Sequence, residues 1–269
     1  MSEIQAVVLD WAGTVIDFGC VAPVRALQAA FKAKDVAITE AQARKDMGRA
    51  KRDHVAALMA DPAVSGAWSA RFGAPPSASD IDTIYAELEP LMKKEAGVHT
   101  TLIPGAADTI AWLERKGVKI GSSTGYTREM MAEILPRAAA QGYAPEVVVC
   151  AGDTKVGRPS PLPMWKALVE LGAYPAWRSV KVDDAVVGIE EGRDAGAWTV
   201  GIAASGNGVG LSLEAWQELA ESEQKRLSAA AGESLREAGA DYVIATIANL
   251  PDVFADIERR IARGERPGT

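Results

Sequence analysis

Cysteine and histidine are scarce in this chain, with two of each among 269 residues. Cys20 and Cys150 alone make no disulfide framework, and adding His54 and His99 makes no zinc site. No run of about eighteen apolar residues occurs, which excludes a membrane-spanning helix. The start, Met1-Ser2-Glu3-Ile4, has neither the basic nor the long apolar part of an export signal. The expectation is a reduced, cytoplasmic, soluble protein. An excess of positive charge is also missing. The net charge is -7, so there is no footprint for nucleic acid, and a mildly acidic surface names no partner. No Gly-Lys-Ser/Thr phosphate loop is found. Gly206-Asn207-Gly208-Val209-Gly210 lacks the spacing of a dinucleotide fingerprint and reads as a flexible loop.

What is present is ordinary in bulk, with 48% hydrophobic and 24% charged residues. The length allows a core plus a smaller unit. Short apolar runs at 6–9, 118–121, 147–150, 180–182, 199–202 and 242–245 read as buried parallel strands. Helical patterns lie between most of them: after Thr127, near Pro163, after Ser212 and over 251–261. This alternation predicts an α/β fold with a doubly wound, Rossmann-like parallel sheet. Residues 19–99 break the rhythm. Thr39 with Gln42 resembles a capping box. The segment 79–94 places Ile81, Ile84, Leu88 and Leu91 on one face, after a turn at Pro75-Pro76-Ser77. The prediction is an all-helical cap domain over 19–99, inserted into a core of 1–18 and 100–269, with hinges at 17–21 and 98–104.

Polar residues cluster at the predicted strand ends. Asp10 follows the first strand. Ser122, Ser123 and Thr124 follow the second, Arg158 lies in Gly157-Arg158-Pro159, and Asp183 and Asp184 follow 180–182. In a parallel sheet these ends converge on one edge. Hydroxyls, backbone N–H groups and a cation bind a phosphoryl group, and Asp10 with Asp184 can hold a hard divalent ion such as Mg²⁺. Taken singly, an Asp after a strand is usually a turn or helix cap, and an Arg is usually a surface ion pair. Four such residues in order after four strands are hard to dismiss.

The series Asp10-Trp11-Ala12-Gly13-Thr14, Thr124-Gly125, Arg158 and Asp183-Asp184 resembles the haloacid dehalogenase superfamily of phosphotransferases along the whole chain. The resemblance implies that Asp10 attacks phosphorus and becomes an aspartyl-phosphate. The superfamily's second Asp, its general acid and base, is Ala12 here. Such an acid contributes about 10²–10⁴-fold, so either the chain is inactive or its leaving group needs no proton. The predicted cap offers a way out in Met47-Gly48-Arg49-Ala50-Lys51-Arg52-Asp53-His54. A lysine can form a Schiff base with a carbonyl substrate. In a phosphonate with an aldehyde β to phosphorus, the protonated imine is an electron sink and the departing group is an enamine. Lys51 must be neutral to attack. A free lysine titrates near ~10.4, and lowering this to ~7 takes roughly 4–5 kcal/mol, from burial and nearby cations. Arg49 and Arg52 are candidate cations, although near neighbours on a helix do not face each other. His54, three residues on, can share the face of Lys51 and relay protons. Taken alone, Lys51 reads as a solvated helix face, His54 as structural and Met47 as core filler.

With Lys51 the resemblance narrows to the phosphonatases of that superfamily. It is carried by Asp10 to Asp17, Gly19-Cys20-Val21-Ala22-Pro23, Met47-Gly48 through Lys51 to Asp53-His54, Ser123-Thr124-Gly125-Tyr126-Thr127, Gly157-Arg158-Pro159 and Ala195-Gly196-Ala197-Trp198-Thr199-Val200-Gly201. It implies hydrolysis of phosphonoacetaldehyde in 2-aminoethylphosphonate degradation, and a homodimer through the cap. Lys51 forms the imine. Asp10, the Ala12 carbonyl and Asp184 hold Mg²⁺. Thr124, Gly125 and Arg158 bind the phosphonate, and Met47, His54, Cys20 and Tyr126 line or support the site. One departure stands out: many relatives carry an Asp where this chain has Gly188. Asp183 is the candidate substitute, and whether Asp183 or Asp184 contacts the metal stays open. The alternatives are a phosphomonoesterase or sugar-phosphate mutase of the same superfamily, which Ala12 disfavours, and a binding protein that kept the fold.

Overall fold

A computed structural model describes residues 2–268. Along the chain run β1 (Ala6–Leu9), α1 (Val21–Lys32), α2 (Glu40–Lys45), α3 (Lys51–Ala60), α4 (Pro62–Phe72), α5 (Ala78–Val98), α6 (Ala106–Arg115) and β2 (Lys119–Ser123). Then follow α7 (Arg128–Ala139), β3 (Val147–Val149), α8 (Leu162–Leu171), β4 (Ser179–Asp183), α9 (Val186–Ala195) and β5 (Trp198–Ile202). The chain ends with α10 (Leu213–Gln217), α11 (Glu221–Glu237), β6 (Tyr242–Ile244) and α12 (Leu250–Ala262). The six strands form one parallel sheet in the order β3-β2-β1-β4-β5-β6. The chain starts in the middle of the sheet, moves outward to β3, then crosses back to β4. Its direction reverses between β1 and β4, and there an open α/β sheet takes its ligands.

The strands read as apolar runs because both faces of the sheet are covered. Val7, Leu9, Val180 and Val182 pack with Leu113, Phe254 and Ile257 on one face. Ala6, Val8, Val147 and Val149 pack with Met164, Leu168 and Leu171 on the other. Three strands run further than predicted, β5 by Trp198 at its start and two at their polar ends. β2 includes Ser122 and Ser123, and β4 includes Asp183, all fully buried. Polar side chains hid these extensions from a reading based on hydrophobic runs. α11 was not predicted either. Its 17 residues bury only Gly232 and Leu235, so it has no apolar stripe to read.

Between β1 and β2 the structure has six helices and no named strand, and five of them, α1 to α5, fall within 19–99. The predicted capping box is present: Thr39 Oγ1 accepts from the Gln42 N–H at 3.1 Å, and Gln42 Oε1 accepts from the Thr39 N–H at 2.8 Å. α5 extends past the predicted stretch at both ends, and Ser77 and Asp80 cap it reciprocally. It packs on α1, α3 and α7. The two predicted hinges meet. The Asp17 carboxylate accepts from the Val21 and Ala22 N–H groups at 3.1 and 2.9 Å, which fixes the start of α1. His99 Nδ1 lies 3.5 Å from Asp17 Oδ1. Among the described residues no helix is long and apolar enough to cross a membrane. Met1 and Thr269, the end residues of the predicted core, lie outside the described residues.

Leu88 of α5 is fully buried in the contact with its neighbours. Leu88→Ala is expected to destabilise the protein by about 2–5 kcal/mol, read from the urea midpoint. A loss below about 1 kcal/mol would mean that α5 is not packed as described.

Candidate active site

Strand parity builds the site. Alternate residues share a face, so Ala6 and Val8 point the same way and Asp10 follows just past the strand end. Val8 is registered with Gly121 of β2 and Lys181 of β4. Ser123 and Asp183, two residues further on, therefore flank Asp10 on that face. The fold thus delivers a carboxylate, a hydroxyl and a second carboxylate to adjacent strand ends. Past Asp10 the chain makes a tight turn. The N–H groups of Thr14, Val15 and Ile16 all donate to the Trp11 carbonyl, at 3.2, 2.8 and 3.0 Å.

Asp10, Asp183 and Asp184 are buried and offer carboxylate oxygens within 4.8 Å of one another. Arg158 forms ion pairs with three carboxylates: Nη1 to Asp10 Oδ1 at 3.0 Å, Nη2 to Asp183 Oδ2 at 3.4 Å and Nε to Glu191 Oε2 at 3.0 Å. Lys181 Nζ pairs with Asp183 Oδ2 at 3.0 Å and Glu191 Oε2 at 3.3 Å. Four buried carboxylates (Asp10, Asp183, Asp184, Glu191) thus face two buried cations (Arg158, Lys181). The difference is two negative charges in a place where unbalanced charge is costly. The strain shows in the titration. Burial, then Asp183, pushes Asp10 up to about 6 against the pull of Arg158 and Lys181. Burial, then Asp10 and Asp183, pushes Asp184 well above the usual carboxylate range. A divalent cation with hard oxygen ligands fits this donor set in charge and in chemistry.

The two candidate carboxylates differ in what they face. Asp184 lines the cavity described below, and its oxygens accept from Thr14 Oγ1 at 3.2 Å and the Asn207 N–H at 2.7 Å. Asp183 turns away from the cavity toward Lys181, Arg158 and the Ala185 N–H. Gly188 now has a physical reason. A Cβ there would lie 2.0 Å from Asp183 Cγ. The Asp183 carboxylate occupies the space that a side chain at 188 would need.

A cavity of about 20 Å³, room for about one water, sits above this floor. From the core it is lined by Asp10, Ala12, Thr124, Gly125, Arg158 and Asp184, with Tyr126 beside them. From the helical segment it is lined by Cys20, Met47 and Lys51. The structure therefore brings together every predicted site residue except His54 and Asp183. The two sides touch at Gly125, where a Cβ would meet the Arg49 carbonyl oxygen at 2.6 Å, so only glycine fits.

Lys51 is the first residue of α3 and is 2% exposed. Its Nζ lies 3.9 Å from Met47 Sδ and 5.2 Å from the centre of the Tyr126 ring. Burial, foremost, lowers its pKa, and Arg158 acts in the same direction against Cys20, Asp10 and Asp184. A helix N-terminus adds to this by disfavouring a positive charge. The cations expected from sequence play no part: Arg49 pairs with Asp46 at 3.2 Å and Arg52 with Asp82 at 2.8 Å. The Cys20 thiol and the Tyr126 phenol are pushed well up, chiefly by burial, and stay protonated. The Tyr126 N–H donates to Thr124 Oγ1 at 3.2 Å. His54 is fully buried, one turn along α3 from Lys51, and does not line the cavity. Burial, then Lys51, pushes its pKa down to about 3, so the imidazole is neutral.

Sequence reasoning missed four contributors: Ser123 as a buried hub, Lys181, Glu191 and Asn207. The signal for Lys181 was available, since a lysine inside Val180-Lys181-Val182 sits in a fully covered strand and must find a partner. The glycine-rich segment is not a detached loop. Asn207 binds Asp184 and Ser205 Oγ donates to the Gly13 carbonyl at 2.8 Å. Only the fold brings residues this far apart in sequence onto one wall.

A family model for haloacid dehalogenase-like hydrolases matches residues 4–196, and the chain belongs to that class of enzymes. Within it, the chain is 48% identical over 267 residues to the phosphonoacetaldehyde hydrolase of Paraburkholderia phytofirmans, covering 99% of this chain and 100% of the relative. It is 45% identical to that of Klebsiella pneumoniae, with 99% and 100% covered. A crystal structure of a phosphonoacetaldehyde hydrolase-like protein from Oleispira antarctica superposes with a TM-score of 0.97 at 41% identity, over 98% of this chain and 96% of that one. The family it joins is therefore that of the phosphonoacetaldehyde hydrolases. A putative β-phosphoglucomutase from Bacteroides vulgatus, at 16% identity and a TM-score of 0.65, shares the fold alone.

If Asp184 faces a metal, Asp184→Asn is expected to weaken Mg²⁺ binding about tenfold or more, measured by calorimetry. Wild-type affinity in the folded variant would remove Asp184 from the ligand set.

Proposed function

We propose that this enzyme hydrolyses phosphonoacetaldehyde to acetaldehyde and phosphate, with Mg²⁺ at Asp10, the Ala12 carbonyl and Asp184, and serves 2-aminoethylphosphonate degradation. The observation that carries the reading is one small cavity lined together by Asp10, Ala12, Lys51 and Arg158. A nucleophile, an amine and a phosphoryl-binding cation meet where the superfamily's acid is replaced by a methyl group. The names of the relatives support the same substrate.

Lys51, whose pKa burial lowers, adds in its neutral form through Nζ to the aldehyde carbon. The adduct takes a proton from solvent and loses water to give a protonated imine. An Asp10 oxygen bonds to phosphorus as the P–C bond breaks, and that electron pair moves into the imine to leave an enamine on Lys51. Arg158, Thr124 and the Gly125 N–H hold the phosphonate oxygens. Mg²⁺ held by Asp10, the Ala12 carbonyl and Asp184 would offset the negative charge of the Asp floor and supply Lewis-acid stabilisation of charge on the phosphonate. Water then releases phosphate from Asp10. The enamine takes up a proton on carbon and is hydrolysed to acetaldehyde. No step needs an acid at residue 12. A phosphate ester would need one, which disfavours the phosphomonoesterase and mutase readings.

Residues 19–99 act as a cap domain in this reading. The cavity is too small to admit the substrate unless the helical segment swings away about the Asp17 and His99 hinges. Pairing of two copies through the cap belongs to the reading as well. It is supported by Phe72, which is 47% exposed and packs on Trp68. A single monomeric boundary in sedimentation at micromolar concentration would remove the dimer.

The test of the reaction is phosphate release from phosphonoacetaldehyde with and without Mg²⁺, paired with a borohydride quench. Turnover is expected only with Mg²⁺, with a reduced two-carbon adduct on Lys51. Lys51→Arg keeps the charge, forms no imine, and should lose about 10²–10⁴-fold in kcat. The folded pKa of Lys51 is lowered, so its neutral form appears at lower pH than in a free lysine. The rate of trapping with acetaldehyde should therefore rise with pH and level off below the free-lysine value of ~10.4. Turnover without any Lys51 adduct would reject the imine.

A further inference from the structure

Beneath the cavity floor lie two charged residues that this reaction does not use. Lys181, in the middle of β4, and Glu191, on α9, are both fully buried. With Arg158 and Asp183 they close a ring of alternating charge, with contacts of 3.3, 3.0, 3.4 and 3.0 Å in the order Lys181–Glu191–Arg158–Asp183–Lys181. Ser123 Oγ sits at the hub. It accepts from Lys181 Nζ at 2.8 Å and Arg158 Nη2 at 3.0 Å and donates to Glu191 Oε2 at 3.1 Å, which uses every position a hydroxyl has. The Ser123 carbonyl also accepts from Arg158 Nη2.

A guanidinium is a rigid planar fork, so fixing two edges fixes the third. Glu191 Oε2 lies 3.0 Å from Nε as an ion pair without hydrogen-bond geometry, and Ser123 and Asp183 take Nη2, which leaves Nη1 as the edge presented to Asp10. We propose that Lys181 and Glu191 are positioning residues, a buried clamp that holds Arg158 with its Nη1 edge at Asp10 and the cavity, where the phosphoryl group would sit. Lys181 acts by keeping Glu191 and Asp183 in place. The inference rests on the reading of Arg158 as the phosphoryl-binding cation. The competing account is a buried salt bridge that serves stability alone, and such pairs can often be exchanged for apolar residues without harm.

The test uses Glu191→Gln, Lys181→Met and the charge-balanced double variant Lys181→Met/Glu191→Met. Inorganic phosphate with Mg²⁺ is the binding probe in calorimetry, and kcat and KM are measured with phosphonoacetaldehyde. Phosphate affinity and kcat/KM are expected to fall about 10–100-fold in Glu191→Gln. They should stay low in the double variant even where its thermal midpoint matches wild type. Borohydride trapping of Lys51 with acetaldehyde, which carries no phosphoryl group, should be unchanged throughout. A double variant with wild-type phosphate affinity and turnover would overturn the clamp, as would a parallel loss of Lys51 trapping. If a single variant does not fold, the double decides. If the wild type releases no phosphate from phosphonoacetaldehyde, the proposed function fails, and the clamp is judged on phosphate affinity alone.

Discussion

Uncompensated negative charge at the carboxyl ends of β1 and β4 is the constraint on which the rest depends. Four buried carboxylates share two buried cations. An arrangement like this is tolerated only where every charge is paired and a further cation can be taken up. The sheet supplies the pairing from below, through Lys181 and Arg158. It supplies hydrogen bonds from the side, through Thr14 and Asn207. What stays unbalanced faces the cavity. The topology puts it there because the winding reverses between β1 and β4, which leaves their ends uncovered by a connecting loop.

Much of this was legible in the sequence, for identifiable reasons. Buried parallel strands are apolar runs, so β1 was read to the residue, and the alternation of strands and helices gave the doubly wound sheet. The lysine was legible only through an anomaly, because Ala12 made Lys51 worth considering. Ser123 and Asp183 were legible as strand-end polar residues, but not as parts of the strands themselves, because polar strand ends look like loops. Other parts were hidden. Glu191 belongs to a run of charge, Glu190-Glu191, that reads as a solvated helix face until α9 is laid on β4. The segment around Asn207 was discounted because its glycines matched no fingerprint, yet its part in the site is a single backbone N–H to Asp184. Backbone donors leave no trace in residue identity.

Lys51 sits in a contest between two opposing effects. The nearby carboxylates and Cys20 favour its charged form, while burial, Arg158 and the start of α3 favour the neutral amine. Burial wins because the helical segment presses on the core at Gly125 and leaves room for about one water. The contact that closes off the cavity therefore also buries Lys51 and lowers its pKa. A cation bound at the carboxylates would shift the contest further, since it cancels the charge that holds the proton on Lys51.

The same electrostatics give Ala12 a second reason beyond the chemistry of the leaving group. Ala12 is buried on the wall of the cavity that Asp10, Asp184 and Lys51 also line. An aspartate there would be a fifth carboxylate beside four, two of which burial and mutual repulsion already push up. It would raise Asp10 and Asp184 further by like-charge repulsion, and it would add an anion beside Lys51 that favours the ammonium. A nearby opposite charge moves a pKa by about 1–3 units, and each unit costs the amine about tenfold in its neutral fraction. An acid at residue 12 would thus work against the neutral form of Lys51 in the same small cavity. With a methyl group at 12, the cavity lining gains no further anion.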